Sequence, residues 1–416
     1  MVQKNENDIR LRGMSAINAF AHTNSASRLQ MQSNAFSQHL VIEGVETNSI
    51  LTGFEQELGK HSYSIKAPDD IIIEAIIDKY VPTNLNGIKF NPQTIVIYRL
   101  YSNSNIRKYG ILNIPAVSDN HPKFGFPYVK TENANRLRPG SSIRKDTILF
   151  DTPAKDELGN YGYGTELLTL YSTLEGTCED SILISKAVTS KLKTKLYVNQ
   201  EVSFGENNYP LNLYGDDDVY RVFPDIGDYI VPPSGYNGLI MATREFKPDI
   251  LPITFTKKNL QKFNPISDKP LYASAKGGRI IDITVYRQSK NNNSSLSDQV
   301  YSQLNKYADA YVDFCKKILN EYKRIMITTN NKAEFTDEFD QLIKTAMAIC
   351  EEPLSGETNS SYIQKVGNFN VKLDDWVVKF TVELEKTPLP GFKVTDISHW
   401  IHINFLKIMC LKSIAK

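Results

Sequence analysis

Residues 300–322 read VYSQLNKYADAYVDFCKKILNEY. Val300, Leu304, Tyr307, Tyr311, Phe314, Ile318 and Tyr322 recur every three or four positions, the period of one helix face. SSLSD, just upstream, supplies N-cap residues. A second stripe follows at Phe335, Phe339, Leu342, Ile343 and Met347, and TTNNK (328–332) joins the two. The pattern predicts an antiparallel helical hairpin whose aromatics are buried core rather than a cofactor site. It decides the fold class because its surroundings read differently. Between 196 and 286 the short runs LYVNQEV, VYRVF, DYIVP, GLIMATREF and RIIDITVY are rich in strand formers and separated by turn residues. Strand signals also fill 61–150: YSIKA, TIVIYRLY, YGILNI and, after the turn Pro139-Gly140, SSIRKDTILFD. VKLDDWVVKFTVELE (371–385) returns to strand, while SILI (181–184) is too short to assign. Residues 14–40 read as a short helix, a turn around His22–Asn24 and a second helix from about Ser27. The expected class is α+β, mostly β.

The bulk numbers bound this reading. With 416 residues, the chain exceeds one simple core and predicts two to four domains or one multi-lobed body. Hydrophobic residues make up 41% and charged residues 23%, ordinary for a globular protein. A net charge of +1 lacks the bulk basic bias of a stand-alone nucleic-acid binder. Cys178, Cys315, Cys350 and Cys410 form no CxxC pair, so zinc and redox readings lack support and a reduced, cytosolic chain fits. MVQKNENDIRLRG carries no signal peptide. No run of about 18 apolar residues predicts a membrane span. The abundance of Asn, Lys, Ile and Tyr points to an AT-rich genome.

Four stretches carry candidate chemistry. In ASRLQMQSNAFSQH (26–39), Arg28, Met31, Asn34 and Gln38 share one helix face. Arg, Asn and Gln offer forked donors and amides that suit phosphate, ribose and base edges; a plain solvent face explains the same spacing. In GTCEDSILIS (176–185), Glu179 and Asp180 adjoin an apolar run. Such carboxylates must face water, a cation or a metal-bound phosphate, and a solvated turn is the bland alternative. LYGDDDVY (213–220) is similar to the YGDD turn of single-subunit polymerases, which hold Mg²⁺ with paired aspartates. It lacks that turn's clear flanking strands, so an acidic surface turn is the default. KGGRIIDITVY (276–286) has two glycines but no following helix, which excludes a P-loop and leaves a tight strand entry. HExxH and GxSxG are both absent.

Taken in order, these pieces resemble the second half of the β subunit of bacterial-type, multisubunit DNA-directed RNA polymerase. SRLQMQSNAFSQH is similar to the family's NRALMGANMQRQA helix, with Arg28, Met31, Asn34 and Gln38 in register. SILTGFE (49–55) resembles LVGTGME, and SSIRKDTILFD resembles VKKGDVLADG. GTCEDSILIS resembles GYNFEDSILIS, the most specific match. DIGDYIV (225–231) and KGGRIIDITVY resemble the flap's GDILVG and GTVIDVQVF, and PGFKVTDISH (390–399) resembles PGDKMAGRHGNKG. The matches are collinear from about residue 15 to 399. An opening Met near the middle of the family's β subunit is similar to the split β polypeptides of giant bacteriophages.

The resemblance implies a multi-lobed β-subunit core with double-psi-type barrel elements and a flap carrying the helical hairpin. It divides the chain into catalytic-core helices (1–80), an external lobe and hybrid-binding core with EDSILIS (81–194), a flap-like domain (195–371, hairpin about 295–352), a return to the hybrid-binding core (372–399) and an aberrant tail (400–416). It implies that Arg28 contacts nucleotide phosphates, that Asn34 and Gln38 lie near the RNA 3′ end, and that Glu179 and Asp180 help place a second Mg²⁺ through water. Lys393 would neutralise RNA-backbone or substrate charge. The main Mg²⁺ ligands belong to β′, so the chain is expected to be inactive alone. Implied partners are the N-terminal and C-terminal β parts, the β′ parts, an initiation factor docked on the hairpin, template DNA, RNA and nucleoside triphosphates, with no membrane. The implied location is the cytoplasm of an infected bacterial host, or the virion. Thr177 and Lys186 depart from the family pattern, which usually has Asn and often has Glu there. After His399 the match stops at Trp400, so residues 400–416 are expected to follow an intron or frameshift. Two other readings stand beside this one: a catalytically degenerate polymerase-like scaffold, and a single-chain YGDD polymerase.

Overall fold

The structure is a computed structural model and describes residues 14–37, 42, 44–83, 87–101, 107–121, 124–162, 164–168, 183–205, 208–231, 237–245, 257–274, 277–287, 298–350, 365–366, 369–370 and 376–388. It is a mixed α/β structure in which strands predominate. The helices are α1 (Ala26–Ser37), α2 (Phe54–Lys60), α3 (Lys186–Lys191), α4 (Lys257–Leu260), α5 (Asp298–Thr328) and α6 (Asp337–Cys350).

The first large sheet has the order β15-β4-β3-β2-β8, built from β2 (Ile71–Asp78), β3 (Gln93–Leu100), β4 (Arg107–Pro115), β8 (Ser142–Ile143) and β15 (Ala333–Phe335). Strand β2, IIIEAIID, lies between β3 and β8 and has no polar alternation because it packs against an apolar core on each side. A bulge between Ile73 and Ala75 divides its side chains between two cores. Ala75 and Ile77 join Ile95, Ile97 and Tyr109 beneath α5 and α6. Ile71 and Ile73 pack with Val96, Tyr98, Ala67 and Leu149 on the other side. That second layer includes a three-stranded sheet of β1 (Ile65–Lys66), β9 (Ile148–Asp151) and β7 (Val129–Lys130).

The second large sheet has the order β14-β18-β10-β6-β5: β5 (Val117–His121), β6 (Phe124–Pro127), β10 (Thr194–Phe204), β14 (Arg279–Arg287) and β18 (Trp376–Lys386). Ile280, Ile283, Val378, Phe380 and Val382 form its core with Val222, Phe223, Leu304 and Tyr307. Elsewhere β10 and β18 carry the cross-strand ion pair Lys379–Glu201 at 2.9 Å, and Lys193, just before β10, reaches Glu385 of β18 at 3.0 Å. A third sheet joins β11 (Asn208–Pro210), β12 (Leu239–Glu245) and β13 (Asp268–Tyr272), held by Arg244 on the buried Asp268 at 2.6 Å. β16 (Lys365–Val366) and β17 (Phe369–Asn370) form a small pair.

Helix α5 has 31 residues, about 45 Å at 1.5 Å per residue, enough to serve both large sheets. Leu304 and Tyr307 enter one core; Phe314, Ile318 and Ile325 enter the other. The buried stripe expected from the sequence is therefore the seam between two cores. A hairpin docked by an initiation factor would present its polar face only. The loop after β2 is stapled to β14 at the same seam: buried Lys79 donates to Asp282 at 2.6 Å and Thr284 at 2.7 Å, and Tyr80 Oη donates to the Ile283 carbonyl at 2.7 Å.

Several local expectations change. After TTNNK the chain adds β15, parallel to the edge of β4, before α6 begins. SSIRKDTILFD is two strands, because RKDT forms a turn with Asp146 at φ 61°. VYRVF is irregular rather than a strand: the backbone N–H of Val222 donates to the buried Gln303 Oε1 at 2.9 Å instead of to a ladder. DYIVP keeps only the isolated bridge of Tyr229 with Arg279. The short helix near residue 14 is a 3₁₀ turn, Met14–Ile17, and a second 3₁₀ turn occupies Ala21–Thr23. β2 pairs with β3 across residue 80, and β10 pairs with both β6 and β18.

Candidate nucleotide and nucleic-acid interface

Helix α1 starts after Ser25, whose Oγ accepts the Arg28 N–H at 3.4 Å. The helix carries few apolar residues, among them Leu29, half-buried on the same side as Gln32. Its anchor is the preceding turn. Ile17, 3% exposed, packs against Phe54, Leu58 and Tyr161. The next residue, buried Asn18, donates from Nδ2 to Gln32 Oε1 at 2.5 Å and accepts the Phe20 N–H at 2.9 Å. This buried amide turns the Gln32 side of α1 inward. Arg28, Met31 and Asn34 consequently lie exposed, the shared outward face that the spacing predicts. Asn34 Oδ1 accepts Gln30 Nε2 at 3.4 Å.

Gln38, Glu179, Asp180 and Lys393 lie outside the described residues, as do 176–182 of the EDSILIS stretch and the tail 400–416. The segments bordering that stretch are described. On one side Glu166 accepts the N–H and hydroxyl of Ser49 and donates its own N–H to Glu46 at 3.0 Å. On the other, Ser185 Oγ caps α3 through the Ala187 N–H at 3.2 Å, and Lys191 reaches Glu46 at 3.4 Å. The TGFE segment places Thr52 N–H and hydroxyl on the buried Glu55 carboxylate, within 3.0–3.2 Å, an N-terminal clasp for α2.

The YGDDD segment is a self-contained acidic turn. Asp216 Oδ1 accepts the N–H groups of Val219 at 2.7 Å and Asp218 at 2.9 Å. Those backbone bonds, Val219 first, hold the Asp216 carboxyl below its usual pKa. Asp217 accepts Gln261 Nε2 at 3.1 Å. Among the described residues no three His, Cys, Asp or Glu side chains converge on a possible metal position. The two glycines of KGGR serve strand entry. Gly277 has φ +80°, and a Cβ on Gly278 would lie 2.7 Å from the Glu383 carbonyl oxygen of β18.

Sequence reasoning did not single out Asn18 and Gln32. The available signal was Gln32 itself, which stands where the NRALMGANMQRQA pattern has glycine. Lys79 was also missed, because a lysine at the end of IIIEAIIDK gives no sign of burial.

No family model matches the chain. The β subunit of DNA-directed RNA polymerase from Chlamydia pneumoniae is 25% identical over 249 residues, 59% of this chain. The chain spans 18% of that relative's length. This likeness supports a β-subunit-like relationship.

Proposed function

We propose that this chain is part of the β subunit of a multisubunit DNA-dependent RNA polymerase, a split piece of the kind giant bacteriophages carry. The observation that supports it most is the likeness to a polymerase β subunit over 59% of the chain, together with the collinear motifs. The exposed Arg28–Met31–Asn34 face of α1 agrees with this reading. An exposed guanidinium and amide can bind phosphate and base or ribose groups directly. In this reading Arg28 binds the incoming nucleotide's phosphates, and Asn34 and Gln38 hold the RNA 3′ end. Glu179 and Asp180 would help hold a second Mg²⁺ through water, and Lys393 would balance backbone charge. When bound, Mg²⁺ held mainly by a β′-like partner would supply neutralisation of the charge that develops as the RNA 3′-OH attacks the α-phosphate and pyrophosphate leaves. The double-psi-type barrel elements, the flap and the remaining β and β′ partners belong to the same proposal.

Reconstitution with the other polymerase polypeptides tests it. Glu179→Ala combined with Asp180→Ala is expected to reduce primer extension by about 100-fold. Unchanged extension would sink the catalytic role and leave the degenerate scaffold. Synthesis by this chain alone would instead favour a single-chain polymerase.

A further inference from the structure

The chain is nearly neutral, yet its charge is not evenly spread. Between Arg107 and Lys145 lie eight Lys or Arg residues and only two acids, Asp119 and Glu132. Some exposed cations elsewhere have carboxylate partners, as Lys60 has Glu57, Lys89 has Asp228 and Arg324 has Glu321. Arg107, Arg138, Arg144 and Lys145 are exposed and have no ion-pair partner among the described residues.

The fold brings three of these cations and an exposed aromatic ring to the same end of one sheet. Residues 140–146 run antiparallel beside 67–73, from Gly140 N–H on the Ile73 carbonyl (2.7 Å) to Asp146 N–H on the Ala67 carbonyl (2.9 Å). That path places Arg144 and Lys145 at one end of the first sheet. Asp70 ties the turn to the end of β3: its carboxylate accepts the Lys145 N–H at 2.8 Å, and its carbonyl accepts the Tyr101 N–H at 2.8 Å. Tyr101 is 70% exposed. The β3–β4 register, with Arg99 opposite Tyr109, carries Tyr101 toward Arg107. Acids also face this end. The Asp70 carboxylate is bonded to Lys145 N–H and that of Asp69 to Asp70 N–H at 2.9 Å, while Asp146 and Glu334 stand beside the turn and β4.

We propose that this sheet end binds single-stranded nucleic acid, with a base stacked on Tyr101 and flanking phosphates on Arg107, Arg144 and Lys145. An exposed aromatic between unpaired cations matches the two demands of an unpaired strand: a flat face for a base and positive charge for the backbone. A duplex, whose bases are already stacked, has no use for Tyr101. The inference is independent of the polymerase reading.

The test is fluorescence anisotropy of a labelled 20-nucleotide single strand with the full-length chain across a salt series. Arg144→Glu with Lys145→Glu is expected to weaken binding about tenfold and to lower the salt slope by about one to two. Tyr101→Ala is expected to weaken it about fivefold with the slope unchanged. Lys316→Glu with Lys323→Glu, on the solvent side of α5, makes the same change in net charge and is expected to leave most affinity intact. Arg144→Gln with Lys145→Gln repeats the test should the reversal alter the melting curve. Absence of binding by the wild-type chain, or equal loss in the α5 control, overturns the proposal. So does a silent Tyr101→Ala accompanied by equal binding of duplex.

Discussion

The two helical regions of this molecule are built on opposite principles. The α5–α6 hairpin is amphipathic, and Phe314, Ile318, Phe339 and Ile343 are buried against the first large sheet. Helix α1 has a weaker apolar face, with Leu29 half-buried beside the buried Asn18–Gln32 contact, and presents Arg28, Met31 and Asn34 to the outside. The hairpin's surface is matched to this chain. The outward face of α1, with Arg28, Met31 and Asn34, is left to solvent. Substitutions should therefore separate the regions: the hairpin governs stability, and under the proposed function the outer face of α1 governs binding.

The largest effect is expected at Phe339, which is fully buried and edge-on to Phe335 at 5.1 Å between ring centroids. Phe339→Ala should cost about 4 kcal/mol, the usual range for removing a buried aromatic. Urea unfolding of the full chain checks it. A loss under 1 kcal/mol would mean that α6 is peripheral and that the contrast with α1 has been overstated.

That contrast also decides how legible each region was in the sequence. The hairpin was readable because burial on one face of a helix leaves a period of 3.6. β3 and β4 were readable because TIVIYRLY and YGILNI are flanked by turn residues. β2 escaped notice because both its faces are buried, so IIIEAIID shows neither alternation nor helical spacing. VYRVF misled for a related reason: Val222 and Phe223 are apolar because they are in the core, yet Gln303, 80 residues away, occupies the hydrogen bonds a strand would have used. The outward face of α1 was legible from spacing alone. What holds that face outward, a contact between Asn18 and Gln32, depends on a turn geometry that spacing does not encode.

A smaller effect is expected at that contact. Asn18→Leu keeps the approximate volume but leaves Gln32 Oε1 and the Phe20 N–H without their partner. Stability should fall by about 1.5 kcal/mol, the cost of stranded buried polar groups. Hydrogen exchange should quicken across residues 26–37 while the amides of α5 and α6 keep their protection. Uniform quickening across both regions would show that α1 is not an independently anchored element.

The smallest stability change, and the sharpest separation, belongs to Arg28. Its side chain is exposed and forms no ion pair among the described residues, so Arg28→Ala should shift unfolding by no more than about 0.5 kcal/mol. In a reconstituted polymerase the same substitution should raise KM for nucleoside triphosphates, because a guanidinium that binds phosphate can only be missed when phosphate is present. Arg28→Lys should recover only part of the loss, since an ammonium keeps the charge but not the two-pronged geometry. If Arg28→Ala instead destabilised the chain while leaving KM unchanged, α1 would be an ordinary structural helix, and the division of labour between the two regions would fail at the residue chosen to represent it.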